Sequence, residues 1–322
     1  MIAFIFRRLA QLIAVLLAVS FLGFYIFQFF GDPVLAVVGY RYANPKVIAE
    51  ARERLGLDKP IYVQYLRFLG KAFRGDFGTS YTKIRPVTAV IAERIPATGE
   101  LVLLATIVAL LLGGTFGVIA GVKPHSALSK MASVSSLFGI STPTFVVALL
   151  LIIVFAVSLG WLPSSGRGET IRVGFWSTGL LTADGWRHLI LPVMTLALHQ
   201  FAMILRLVRA EMLEELSHDY VRTAWAKGLP RLRVICAHAL RNALIPVTTV
   251  VGLQFGEMLG FSIVTETVFQ WPGLGKLLID TLYASDSPVV VVYIMFMAVV
   301  ISLINLIVDI GYAFLDPRIS YE

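Results

Sequence analysis

Long runs of apolar residues dominate this chain and limit what it can fold into. Residues 101–121 and 289–308 contain no Asp, Glu, Lys or Arg. A helix of about 20 apolar residues is long enough to cross the hydrocarbon core of a bilayer. With 57% hydrophobic and 15% charged residues, the chain of 322 residues is too apolar for soluble domains. We therefore predict an all-α protein that crosses a membrane several times.

Six stretches have the length and composition expected of membrane spans. They are residues 9–30, 98–121, 131–157, 188–208, 243–262 and 289–315. The first follows Arg7 and Arg8, as in a secretory signal peptide, but its apolar run is too long and no small-residue cleavage site follows it. We interpret it as an anchor, within a single transmembrane domain that covers residues 1–322.

The basic residues predict which side of the membrane each short loop faces. The segments 1–8, 122–130, 206–242 and 316–322 together hold twelve Lys and Arg, against four in loops 158–187 and 263–288. Because loops rich in Lys and Arg stay in the cytoplasm, both termini are predicted to be cytoplasmic. The net charge of +7 is explained in the same way, and no basic tract of the kind that binds nucleic acid is present.

The first outer loop, residues 31–97, is predicted to be helical rather than disordered. Asn44 and Pro45 form a helix start, and Gly56 is a plausible stop. A second helix is predicted in PIYVQYLRFLGKAF, whose apolar residues recur at helical spacing. We interpret its apolar face as docking on the spans, with contact to membrane lipid as the alternative.

Small residues recur every fourth position in the second and fifth spans. Such spacing puts them on one helix face, where a neighbouring backbone can approach closely. The two predicted packing faces are formed by Gly113, Gly117 and Gly121, and by Gly252, Gly256 and Gly260. Glycine is common in membrane helices, so chance is the alternative explanation. In the fifth span Gln254 and Glu257 are three residues apart and face away from the glycines.

Motifs for catalysis are absent from the sequence. Gly275 and Lys276 lack the other residues of a phosphate-binding GxxxxGK[ST] loop, so no nucleotide site is expected. The five histidines show no metal-ligand spacing, and Cys236 is the only cysteine. We expect a non-catalytic chain without metal or cofactor.

The basic loop at 209–242 has more internal order than a loop that only sets topology. Asp219 is predicted to cap a helix that begins at Tyr220, and Gly228, Leu229 and Pro230 would end it. A second basic helix is predicted over 231–241. A short rigid helix of this kind is suited to docking a partner, although an ordinary positive-inside loop is the simpler alternative.

The stretch DYVRTAWAKGLPRLRVICAHALRNALIP resembles the EAA-type loop of permease subunits of bacterial ABC importers, in the form of the dipeptide/oligopeptide branch. The resemblance extends along the chain through FRRLAQLI, LGLDKPIYVQY, GDFGTS, ERIPATGEL, GISTPTF, TETVFQWPGLGKLLID and DPRIS. Arg222, Thr223 and Arg241 depart from the general loop pattern, but in the manner of the peptide branch.

This resemblance implies a type I ABC importer permease fold and a set of partners. They are a second homologous permease, two cytoplasmic ATPase subunits and an extracytoplasmic solute-binding protein. The ATPases would dock on a coupling helix that comprises Asp219, Tyr220, Arg222, Thr223, Ala224, Lys227, Gly228 and Leu229. Gln254 and Glu257 are hypothesised to line the translocation pathway, with a structural role for Glu257 as the alternative.

The implied cargo is a di- or oligopeptide, and importers of nickel, glutathione or opines resemble the same branch. A secondary transporter would be expected to show internal repeats and paired broken helices, which we do not find in the sequence. A membrane enzyme would need a reactive cluster of side chains, which the sequence lacks.

Overall fold

The computed structural model describes residues 2–29, 34, 45–55 and 58–315, and these residues are mostly helical. The helices are α1 Ile2–Phe29, α2 Pro45–Leu55, α3 Ile61–Ala72, α4 Val87–Ala92, α5 Ile95–Val122, α6 Ala127–Ser141, α7 Thr144–Leu151, α8 Ala183–Ser217, α9 Asp219–Ala226, α10 Arg231–Val268, α11 Leu274–Tyr283 and α12 Ser287–Leu315. The predicted start at Asn44 and stop at Gly56 lie outside the described residues.

Four stretches of the described residues are long and apolar enough to cross a membrane. They are Val87–Val122, Ala183–Ser217, Arg231–Val268 and Ser287–Val308. Of two shorter apolar helices, Ala10–Tyr25 lies within the first predicted span and Thr144–Ser158 covers the second half of the third. The chain divides into one unit of Met1–Pro96 with Pro272–Leu303 and another of Ala97–Trp271 with Ile304–Glu322.

The third predicted span is not one continuous helix. Helix α6 ends at Ser141, and α7 begins at Thr144 after Pro143. Proline has no backbone N–H to donate, and its ring pushes the preceding residue out of the helical conformation. The apolar stretch ends in a π-helical segment, Ile152–Ser158. The prediction of an unbroken helix over 131–157 was therefore wrong.

The first unit has an apolar core formed by three helices. Its buried residues come from α4, α11 and the first turns of α12, and they are Val87, Val90, Ile91, Leu274, Leu277, Val289, Val292 and Tyr293. In the same unit α3 packs against α1. The Tyr65 hydroxyl donates to the carbonyl of Leu17 over 3.1 Å, and Phe68 stacks on Phe24. The other side of α3 is exposed.

A buried aspartate holds the segment that precedes α4 in this unit. Asp286 is fully buried and accepts hydrogen bonds from the hydroxyls of Ser80 and Thr82 and from the backbone N–H groups of Tyr81 and Thr82. Burial, with a smaller contribution from the charge of Asp286, raises the pKa of Tyr81 to about 12. The segment 80–82 is thereby fixed to the start of the last helix.

The second unit is built around α8, which packs against α6, α7 and α10. The hydroxyl of Thr182 caps this helix by accepting from the N–H of Gly185 over 3.0 Å. Most of the buried side chains of α8 are apolar, among them Leu189, Leu196 and Leu205, although Thr195 and Gln200 are buried as well. Residues of α8 take part in each of the sites described below.

The all-α prediction missed a two-stranded hairpin in loop 158–187. Strand β1, Ile171–Val173, pairs antiparallel with β2, Trp176–Thr178. Gly174 has φ +65° at the first turn position, where a tight hairpin turn favours glycine. The hairpin is anchored by a buried ion pair of 2.8 Å between Arg167 and Glu100.

Candidate functional site

Helix α9 is a short, partly exposed helix between the two longest helices of the second unit. Val221 and Ala224 are buried against Val234, and Leu216 and Leu229 pack on the same cluster. The opposite side of α9 is open, and Arg222, Trp225 and Lys227 are exposed there. A cationic and aromatic surface on a firmly packed helix is suited to contact with another protein.

The N-terminus of α9 differs from the prediction by one residue. The helix begins at Asp219 itself, and the N-cap is His218, which makes no side-chain capping bond. The predicted capping role of Asp219 was therefore wrong. Asp219 lies in the first turn, where its negative charge interacts favourably with the helix dipole. Its backbone carbonyl also accepts a 2.9 Å hydrogen bond from the hydroxyl of Thr223.

Tyr220 connects α9 to both long helices that flank it. Its hydroxyl donates to the carboxylate of Glu215 on α8 and accepts from the side-chain amide of Asn242 on α10 over 3.0 Å. Burial and the hydrogen bond to Glu215 raise the pKa of Tyr220 above its usual value. The hydroxyl therefore stays protonated and able to donate. The sequence did not indicate Glu215 or Asn242 as partners.

Gly228 ends α9 in a left-handed conformation. Its φ is +75°. The N–H of Leu229 bonds to the carbonyl of Ala224, and the N–H of Gly228 bonds to that of Trp225. This pair of bonds is the Schellman arrangement, which satisfies the last carbonyl groups of a helix. A side chain at Gly228 would meet nothing within 4 Å, so the constraint on this position comes from the backbone angle.

The predicted second basic helix is not separate. Residues Arg231–Val268 form one helix, with a π-helical segment at Val234–Ala239. Arg231, Arg233 and Arg241 thus lie on the first turns of the helix predicted to be the fifth span. Pro230 precedes this helix with extended dihedral angles, as expected at a helix start.

A small cavity lies between the middle parts of α8 and α10. Its polar and aromatic lining comprises Thr144, His199, Gln200, Gln254, Glu257 and Phe261. Gln200 is 2% exposed and Gln254 is 7% exposed, whereas Glu257 and Phe261 are exposed. His199 packs on Phe261 with ring centroids 5.2 Å apart. Gln254 and Glu257 were singled out from the sequence, but His199 and Gln200 were not.

Several polar atoms of this cavity have no hydrogen-bond partner among the described residues. They are both amide atoms of Gln200 and the amide oxygen of Gln254. A buried polar group without a partner costs about 1–3 kcal/mol, so such groups are uncommon in a folded protein. The cavity therefore contains donor and acceptor capacity that the chain itself does not use.

The glycines of α5 lie directly against α8. A β-carbon would come within 2.9 Å of the carbonyl of Phe201 at Gly113, within 2.7 Å of Val208 at Gly117 and within 2.6 Å of Met212 at Gly121. Real β-carbons almost never approach this closely. The spacing of four residues thus corresponds to one continuous line of close helix contact.

The second set of glycines does not form a comparable face. Gly252 is in close contact with Val308, and Gly256 is buried. A β-carbon at Gly260 would have nothing within 4 Å among the described residues, so no close helix contact is seen at this position.

The described residues include no group of three or more His, Cys, Asp or Glu that could hold a metal ion. Long apolar helices packed closely along a line of glycines, a polar cavity between two of them and a short exposed helix are features of a multi-pass membrane protein with a surface for a partner. The chain belongs to the family described as binding-protein-dependent transport system inner membrane component, which matches residues 113–321. The family described as the N-terminal part of the membrane component of binding-protein-dependent transport systems matches residues 1–102.

Three curated relatives align over the full length of both chains. The di/tripeptide transport system permease protein DppB of Pseudomonas aeruginosa is 44% identical. The glutathione transport system permease protein GsiC of Escherichia coli and the oligopeptide transport system permease protein AppB of Bacillus subtilis are each 41% identical. The chain is thus an inner-membrane permease of the ABC importer type.

A solved structure supports the fold. The inward-facing MetNI methionine ABC transporter includes a chain that matches with a TM-score of 0.58 at 16% identity. The match covers 71% of this chain and 97% of that one. At this level of identity the likeness concerns the fold alone.

Proposed function

We propose that this chain forms, together with a second homologous permease, the pathway by which di- and oligopeptides cross the inner membrane. The observation that carries the proposal is helix α9, a short, partly exposed helix joined by packing and hydrogen bonds to two long helices. The full-length similarity to peptide permeases supports the choice of cargo.

In this proposal ATP is hydrolysed by two separate cytoplasmic subunits that dock on residues 219–229. A displacement of α9 would be transmitted to α8 through Glu215 and to α10 through Asn242, because the Tyr220 hydroxyl forms hydrogen bonds with both side chains. A solute-binding protein would deliver the peptide from the outer side. We expect no resident cofactor in this chain.

Glutathione is the second candidate cargo, since a glutathione permease is 41% identical over the full length. Glutathione is itself a tripeptide, so the two proposals share the chemistry of the ligand. Nickel and opines are the remaining alternatives.

The test is uptake by the complex reconstituted in vesicles with its binding protein and ATP. We expect a dipeptide or glutathione to accumulate, and nickel and opines not to. Failure of the chain to co-purify with ATPase subunits, or uptake of none of the peptides, would contradict the proposed function.

We further propose six spans with both termini in the cytoplasm. The four long apolar stretches and the two shorter apolar helices are compatible with this number. The excess of Lys and Arg in the loops assigned to the cytoplasm supports the orientation.

The orientation predicts which side of the membrane a cysteine faces. Ala284 is exposed after α11, in a loop assigned to the outer side, and it has an ordinary φ of −83°. In a variant lacking Cys236, Ala284→Cys should react with an impermeant thiol reagent added from outside. The exposed Cys236 of the natural chain is the control and should react only from inside. Labelling of position 284 only from the cytoplasmic side would contradict the six-span topology.

Glu257 is proposed to give the pathway negative character. It is exposed in this chain and lines the same cavity as Gln254. A carboxylate within the membrane is costly unless it faces water or partners, and it attracts cations. We expect Glu257→Gln to slow the uptake of lysine-containing dipeptides severalfold more than that of neutral ones. Equal slowing of both ligands, or loss of the assembled complex, would favour a structural role.

A further inference from the structure

The two buried glutamines of the cavity are placed as a pair on neighbouring helices. Gln200 lies on α8 and Gln254 on α10, and both line the same cavity. They are not hydrogen-bonded to each other, since neither amide atom of Gln200 has a partner among the described residues. Buried amide atoms left without a partner on both helices are not explained by the stability of the fold, because apolar residues of similar size would avoid the cost.

The lining of the cavity includes exposed as well as buried residues. Its exposed members are Glu257 and Phe261, which lie one turn and two turns beyond Gln254 on α10. Thr144, the first residue after the break at Pro143, contributes a hydroxyl to the lining. The unpaired amide atoms are thus buried, whereas the residue that carries the carboxylate is exposed.

An amide group has the same hydrogen-bonding pattern as a peptide bond. Its nitrogen donates and its oxygen accepts, so an amide can pair with a backbone N–H or C=O of any peptide. An amide carries no charge, and it can form these hydrogen bonds without contacting the side chains of the ligand. These properties suit a carrier whose ligands share a backbone but differ in sequence.

We infer that Gln200 and Gln254 form a transient contact for the peptide bond of the ligand as it passes through the permease. The inference rests on the proposed peptide function and adds the chemical group that is recognised. Glu257 acts separately, on the charge of the ligand. Movement of α8 and α10 during the transport cycle would open and close this contact.

The experiment compares a dipeptide with its depsipeptide, in which an ester replaces the peptide bond and the N–H of that bond is absent. Both are loaded on the binding protein at saturation, with their affinities for it measured separately, and uptake is followed in reconstituted vesicles. The natural complex should import the dipeptide about threefold to tenfold faster, the range expected for one hydrogen bond. Gln200→Leu together with Gln254→Leu should bring this ratio close to one.

The matched control is Thr195→Val on α8. Thr195 is buried, does not line the cavity, and its hydroxyl donates to the carbonyl of Leu191. The control should keep the natural ratio. If the double variant does not assemble, the single variant Gln254→Met, which is apolar and of similar length, is measured in the same way and should lower the ratio.

Three outcomes overturn the inference: a ratio near one in the natural complex, a natural ratio in the glutamine variants, or an equal fall of the ratio in Thr195→Val. The second of these would mean that water alone satisfies the two amides. All three are distinct from failure of the proposed function, in which the natural complex imports neither the peptide nor its ester.

Discussion

Replacement of Gly228 by valine is expected to reduce ATP-driven uptake by about tenfold or more. Gly228 has φ +75°, and a β-branched residue in this left-handed region is a genuine outlier with a strain of about 1–3 kcal/mol. The strain would be relieved by loss of the Schellman bonds that orient Leu229 and the end of α9. Because the end of α9 carries Lys227, the surface offered to a partner would change.

The control is Gly228→Asn, since asparagine adopts the left-handed conformation more readily than other non-glycine residues. A β-carbon at this position would have nothing within 4 Å among the described residues, so the two variants differ mainly in how readily they adopt the backbone angle. We expect the asparagine variant to retain most of its uptake. The measurement is the ratio of ligand imported to ATP hydrolysed by the reconstituted complex. A valine variant that keeps the natural ratio and rate would contradict a coupling role for this helix end.

A second large effect is expected for Gly117→Val, in this case on folding. A β-carbon at position 117 would lie 2.7 Å from the β-carbon of Val208 and 3.0 Å from the carbonyl oxygen of Leu205. Helix α5 would have to move away from α8, and overpacking of this kind costs typically about 1–3 kcal/mol. We expect a severalfold loss of subunit that can be extracted from the membrane in a monodisperse form.

Gly114→Val is the matched control, because Gly114 lies on the same helix and a β-carbon there would have no described neighbour within 4 Å. It carries the same change in helix propensity and in hydrophobicity. Yield and thermal stability of the detergent-extracted protein would be measured for both variants. Equal losses would show that the helix itself, and not the contact with α8, is sensitive to the substitution.

The features that could be predicted from the sequence are those that depend on the helical repeat and on the conformational preferences of single residues. The repeat Gly113, Gly117, Gly121 indicated close approach because residues four apart share a helix face. Gly228 indicated the end of α9 because few other residues adopt its backbone angle. The apolar runs indicated the long helices, although not the break at Pro143, which an apolar composition conceals.

Other features depend on which helices become neighbours, and a single sequence does not contain that information. Gln254 was noticed on its own helix, but its relation to Gln200 arises only when α8 packs against α10. The contacts of Tyr220 with Glu215 and Asn242 arise in the same way. The hairpin at 171–178 was missed because strands of three residues are too short to produce a recognisable alternation.

The buried Asp286 has a consequence for how the chain is made. Its carboxylate is the acceptor for the hydroxyl of Ser80, 206 residues earlier in the chain. At a synthesis rate of about 5–20 residues per second, the ribosome reaches Asp286 roughly 10–40 s after Ser80. During that interval the hydroxyls and N–H groups of residues 80–82 cannot form the bonds that fix them in the finished protein. The segment 80–82 can therefore complete its structure only after nearly nine-tenths of the chain, up to Asp286 of 322 residues, has been translated.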